Sequence, residues 1–181
     1  MSFTAYEIVN KFEETIAEYA GSKFAVAVDS CCNALFLSLV YRGVKGGHVS
    51  IPKYTYPGVA CSIIHAGAKI IFKDTKWKGA YALAPHDIVD SALRFRKGMY
   101  VERTLYCISF HAKKHLPIGR GGMILTDSQM AYKWLRKARF DGRNNVPLSD
   151  DNIDMVGWNM YMTPEQAGRG LMLFDLKKDL S

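Results

Sequence analysis

Six short apolar runs punctuate this chain: FAVAV (24–28), HVSIP (48–52), KIIFKD (69–74), DIVDSA (87–92), LYCISF (105–110) and GGMILTD (121–127). Each is too short for a helix and rich enough in Val and Ile to be a strand buried on both faces. Between several of them lie segments of helical character. Lys11–Tyr19 places Phe12 and Ile16 four apart with Glu13, Glu14 and Glu18 elsewhere on the wheel. Ser30 is positioned to cap a helix running to about Arg42, which Gly43 ends. IIHAG reads as helical between two strands, and a helix is expected from Ser128 to about Phe140. Thr163-Pro164-Glu165-Gln166 is a capping box with proline at the first helical position, and opens a final helix. Strands alternating with helices predict an α/β fold, a mostly parallel sheet with flanking helices. At 181 residues the chain is expected to form one domain, 1–181.

Composition narrows the function classes. The longest apolar region is broken by His65, Lys69 and Lys73, so no membrane helix is expected. No basic leader precedes an apolar run near Met1, which makes a cytoplasmic protein the default expectation. Cys31, Cys32, Cys61 and Cys107 form no metal-binding spacing and read as reduced thiols, so no metal site is expected. The net charge of +7 is concentrated: Arg94 to Arg143 holds twelve Lys and Arg against Glu102, Asp127 and Asp141. That bias suits an anionic partner, either a phosphorylated cofactor or a nucleotide-linked substrate. Nucleic acid is the poorer choice, because no helix-turn-helix or RNA-binding signature accompanies the charge.

In open α/β sheets, ligands gather at the carboxyl ends of strands. Four features fall there. The junction DSCCNAL (29–35) offers the free amides of a helix start and the Ser30 hydroxyl, a natural phosphate cradle. In SFHAKKHLPIGRGG (109–122) a strand end at Ser109 leads into Lys113 and Lys114, and a strand-end lysine in a closed site can attack a carbonyl. Asp90 ends an apolar run. Tyr56, in YTY (54–56), is placed to stack on a flat ligand.

Taken in order, these segments resemble the DegT-type sugar aminotransferase family (DnrJ/StrS-like), fold-type-I enzymes that use pyridoxal 5′-phosphate. The family's Ser-Gly-Thr-x-Ala-Leu junction, Pro-x-x-Thr-aromatic turn and Gly-Ala-Lys strand ending in Asp correspond to Ser30–Leu35, Pro52–Tyr56 and Gly67–Asp74. Its cofactor Asp, Ser-Phe-His-x-x-Lys, Gly-x-Gly-Gly and Gly-aromatic-Asn correspond to Asp90, Ser109–Lys114, Gly119–Gly122 and Gly157-Trp158-Asn159. The resemblance implies a compacted fold-type-I large domain. It implies that Lys114, five residues after the serine, forms a Schiff base with the cofactor and that Asp90 pairs with the pyridinium nitrogen. Tyr56 would stack on the ring, and Ser30, Ser109 and the amides of Cys31 and Cys32 would hold the phosphate. Asn159 would reach the phosphate of a partner subunit, which implies a homodimer with shared active sites.

The implied reaction moves an amino group, from glutamate in line with the family, to a nucleotide-linked keto-sugar. The departures from the pattern are specific. Cys31-Cys32 replaces Gly-Thr, Leu93 stands where Gln or His contacts the ring oxygen, and Tyr161 stands where the family has Arg. Asp74 and Asp90 are sixteen residues apart, too close for WKGAYALAP to hold a further strand and a full crossover. The family continues past FDLKKDLS into a C-terminal small domain, which is missing from this chain. A catalytically degenerate binding or regulatory protein on the same scaffold is the alternative these departures favour.

Overall fold

The computed structural model describes residues 5–178. Its helices are α1 (Glu7–Ala20), α2 (Cys31–Tyr41), α3 (Pro57–His65), α4 (Gln129–Ala138) and α5 (Pro164–Lys178). Its strands are β1 (Phe24–Val28), β2 (His48–Pro52), β3 (Lys69–Lys73), β4 (Tyr81–Ala82), β5 (Ile88–Asp90), β6 (Leu105–Ser109) and β7 (Gly122–Thr126).

Local chemistry sets the helix ends. In α2 the Ser30 hydroxyl accepts from the Asn33 amide at 3.2 Å. In α5 the capping box is reciprocal: Thr163 N donates to Gln166 Oε1 at 2.9 Å, and Gln166 N to Thr163 Oγ1 at 3.4 Å. Helix α1 starts at Glu7, one turn earlier than the periodicity suggested, because Val9 adds to the buried face of Phe12 and Ile16. Helix α3 starts at Pro57, well before IIHAG, since proline is preorganised for the first helical turn.

The sheet is mixed rather than mostly parallel. Five strands lie in the order β1-β7-β6-β5-β4, and β2 pairs with β3 in a separate parallel ladder. Only β5–β6 is parallel in the larger sheet; β1–β7, β6–β7 and β4–β5 are antiparallel. The reason is the link from β6 to β7, which holds no helix and therefore returns the chain instead of crossing it over. WKGAYALAP holds no crossover, as expected, yet it does supply β4. Just beyond β4, Ala84 exchanges backbone hydrogen bonds with Ser50 of β2, at 2.7 and 3.2 Å. This segment stitches the two sheets together. Followed through the pairings, β1, β2, β5 and β6 all run one way, so their carboxyl ends share an edge.

Alternate residues of the buried strands feed two cores. Val26, Val28, Leu105, Cys107 and Ile124 pack with α2, α3 and α4. Ala25, Ala27, Tyr106, Ile108, Met123 and Leu125 pack with α1 and α5. The result is three layers, α/β/α. Strand β1 is an edge, and Ala27 there has its amide and carbonyl turned outward. Both are taken up: Glu13 Oε1 accepts the Ala27 amide at 2.7 Å, and Arg139 donates to the Ala27 carbonyl and to Glu13. A buried ion pair thus seals the sheet edge.

Much of the basic stretch is neutralised inside the fold. Arg120 pairs with Asp29, Arg136 and Arg139 with Glu13, Lys137 with Asp154 and Arg143 with Asp151. All four acids lie outside residues 94–143, so the charge concentration in sequence overstates that in space. No helix among the described residues is long and apolar enough to cross a membrane.

Candidate active site

The shared strand edge opens into a cavity of about 460 Å³, with Ser30, Cys31, Cys32, Tyr56, Asp90, Ser109 and Lys114 all in its walls. Every sequence-predicted site residue is there except Asn159. They arrive from four segments far apart in sequence. β1 delivers Ser30 and the start of α2; the β2–α3 link delivers Tyr56; β5 delivers Asp90; β6 and its following loop deliver Ser109 and Lys114.

Helix α2 points its first turn into the cavity. The amides of Cys31 and Cys32 have no partner within the helix, as in any first turn. Gly122 makes this position possible: a Cβ there would lie 2.4 Å from the Ser30 carbonyl carbon and 2.5 Å from the Cys31 nitrogen. The second glycine of the Gly-Gly pair is therefore a packing requirement between β7 and the helix start. Neither neighbouring thiol is set up as a thiolate. Burial, then the charge of Asp90, pushes Cys31 well up and Cys32 up. Burial also pushes Cys107, beneath them, up to about 12.

Asp90 is 5% exposed. Its Oδ1 accepts the Ala92 amide at 2.9 Å and its Oδ2 accepts the Tyr81 hydroxyl at 2.8 Å. Burial raises its pKa, while the Ala92 and Tyr81 hydrogen bonds and the Lys114 charge pull the other way. Lys114 is half-buried, and its amide donates to the His111 carbonyl at 2.8 Å, which shapes the turn that carries it. Lys113 is exposed but also lines the cavity. Tyr56 is 69% exposed and also lines the cavity.

Two predicted features fall elsewhere. Asn159 is outside the cavity; its side-chain amide donates to Asp141 at 3.0 Å. Leu93 is 50% exposed and does not line the cavity. Sequence reading missed Tyr81, Thr55 and Arg120. Tyr81 sits directly opposite Asp90 in the β4–β5 ladder, and the turn signal of Pro85, His86 and Asp87 between the two strands was the clue. Arg120 lines the cavity and donates to Asp29 at 2.9 Å.

This arrangement has known relatives. The spore coat polysaccharide biosynthesis protein SpsC of Bacillus subtilis is 28% identical over 222 aligned positions, covering 95% of this chain and 54% of SpsC. That alignment is longer than the chain, so SpsC holds residues within the matched span that are missing here. The UDP-4-amino-4,6-dideoxy-N-acetyl-beta-L-altrosamine transaminase of Campylobacter jejuni is 38% identical over 71 residues, 39% of this chain and 19% of its own length. Among solved structures, the PLP form of Spr1654 from Streptococcus pneumoniae superposes with a TM-score of 0.76 at 17% identity. That superposition covers 96% of this chain and 59% of Spr1654, and at such identity it shows the shared fold. The chain thus spans little more than half the length of SpsC and of Spr1654. Residues 1–101 and 100–177 match the model of the DegT/DnrJ/EryC1/StrS aminotransferase family, and the chain belongs to that family.

Proposed function

We propose that residues 1–181 form one domain that binds pyridoxal 5′-phosphate and serves an aminotransferase acting on a nucleotide-linked keto-sugar, with Lys114 as the covalent anchor. The observation that carries this reading is the convergence of Lys114, Asp90, Tyr56, Ser109 and the Ser30–Cys32 helix start on one cavity. The donor set fits the group. A helix start with unpartnered amides and two nearby serines suits a phosphate. A buried carboxylate suits a pyridinium nitrogen, and an amine in the same cavity suits an aldehyde. Bound there, the cofactor supplies the electron-accepting ring that aminotransfer requires.

The chain's own residues then have distinct tasks. Asp90, ionised, would pair with the ring nitrogen and keep the proton there. Ser30, Ser109 and the amides of Cys31 and Cys32 anchor the phosphate, and the cysteines at these positions leave the amides to do so without the family's threonine hydroxyl. Tyr56 covers the ring face. The Lys114 amine would move the proton at the α-carbon of an amino donor such as glutamate. Lys113 and Lys114 give the cavity its positive lining for an anionic substrate, while Arg120 beside them is paired with Asp29. The name of the Campylobacter jejuni relative, a transaminase of a UDP-linked amino sugar, supports this substrate class. A homodimer with shared active sites is part of the reading, with Asn159 directed at the site of a second copy. So is a cytoplasmic setting, in keeping with free thiols at Cys31, Cys32, Cys61 and Cys107.

The test is the visible absorption spectrum of the protein with added pyridoxal phosphate, before and after borohydride. A band fixed covalently in wild type and lost in Lys114→Ala is the expected result. No band in either protein sinks the cofactor reading and leaves the binding-scaffold alternative. A band that survives in Lys114→Ala moves the anchor to Lys113.

A further inference from the structure

We propose that Tyr81 is the positioning residue of Asp90: braced by Thr55, its hydroxyl fixes one carboxylate oxygen and keeps the group ionised where it faces the cavity. This rests on the cavity being the active site. The inference concerns the link between Asp74 and Asp90, only sixteen residues from one to the other.

The geometry is a directional chain. Tyr81 and Asp90 are cross-strand partners in the β4–β5 ladder, and the Tyr81 hydroxyl donates to Asp90 Oδ2 at 2.8 Å. A phenol has one proton, so the second contact of that oxygen, 2.5 Å to Thr55 Oγ1, is one in which Thr55 donates. Thr55 comes from the link after β2, so the two sheets joined at Ser50 and Ala84 meet again in this hydrogen-bond chain. Packing fixes the ring. Trp77 lies edge-on to Tyr81 with centroids 4.7 Å apart, and its own N–H is held by the Tyr54 carbonyl at 2.8 Å.

Asp90 needs such support. Cys31 and Cys32 face it from α2, Cys107 from β6, Tyr81 from β4 and Lys114 from the loop after β6. Lys114 is the one cation in that set, and the thiols are neutral. Burial opposes the charge, and donors aimed at the charged form oppose burial. A chain of hydrogen bonds polarised in one direction does this better than a single donor. Strand β4, paired along β5, is what brings the Tyr81 hydroxyl to Asp90.

The experiment follows the side-chain carboxyl of Asp90 by carbon NMR in the full, cofactor-free chain labelled at aspartate, with Asp90→Asn assigning the resonance. Tyr81→Phe should move the Asp90 titration midpoint upward by about one pH unit, the size of one hydrogen bond to a charged oxygen. Thr55→Val should move it the same way by less, and serves if Tyr81→Phe folds poorly. Other aspartates should not move. An Asp90 midpoint unchanged in both variants overturns the proposal. Pyridoxal phosphate and borohydride are added to the wild-type protein in parallel. If no cofactor is trapped but the midpoint moves, the cofactor reading fails and the Tyr81 assignment stands. If cofactor is trapped and the midpoint stays, the reverse holds.

Discussion

Two buried carboxylates in this molecule are treated in opposite ways. Glu13, 4% exposed, is enclosed by charge: Arg136 of α4 and Arg139, at its C-cap, reach it, and the Ala27 amide completes its shell. Asp90, 5% exposed, has the neutral donors Tyr81 and Ala92, with its cation, Lys114, on a loop that lines the same cavity. Both carboxylates satisfy their hydrogen bonds, so burial alone does not separate them. What separates them is where the countercharge sits. Guanidiniums locked on the same carboxylate make a structural joint between α1, β1 and α4. A carboxylate held by neutral groups and bordering an open cavity keeps its charge available to a ligand.

The comparison breaks most decisively at Glu13. Glu13→Ala leaves Arg139 buried without its partner and frees the Ala27 amide, and should cost about 3–5 kcal/mol in urea-unfolding experiments. A loss under about 1 kcal/mol would mean the joint carries little. Arg136→Met should cost about 1 kcal/mol, because Arg136 is partly exposed and Arg139 still neutralises Glu13. Asp90→Asn should leave stability within about 1 kcal/mol of wild type while cofactor uptake falls. If Asp90→Asn instead unfolds the protein as Glu13→Ala does, both carboxylates are structural and the contrast collapses.

The smallest effect is a pH dependence. Asp90 has a folded pKa raised by burial, so the folded state holds its proton more tightly than the unfolded chain. Stability therefore falls as pH rises from about 4, the ordinary aspartate value, through the folded pKa. Asp90→Asn lacks this term. The stability of Asp90→Asn relative to wild type should rise across that window and then level off, and a flat difference would count against the burial argument.

How much of this was legible beforehand varies by feature. All six apolar runs are strands, because short Val- and Ile-rich segments bounded by turns have few other uses. The Ser30 cap and the Thr163–Gln166 box were readable because a cap needs partners only two or three residues away. Motif order singled out eight residues, and seven of them line one cavity. Strand direction was not legible, since the same apolar run serves either pairing. The link from β6 to β7 decided it. Nor did the basic stretch reveal its own neutralisation, since Glu13 and Asp29 reach it from distant segments and Asp151 and Asp154 fold back on it from just beyond its end.

The sequence by itself determined the strand and helix segments, their caps and the residue types offered to the site, because each of those depends on neighbours along the chain. The tertiary structure alone decided that β4 runs antiparallel to β5, that Tyr81 faces Asp90, and that Glu13 seals the β1 edge. Those contacts join residues whose meeting depends on how whole elements pack. A single hydrogen bond between distant side chains leaves no periodic trace in sequence.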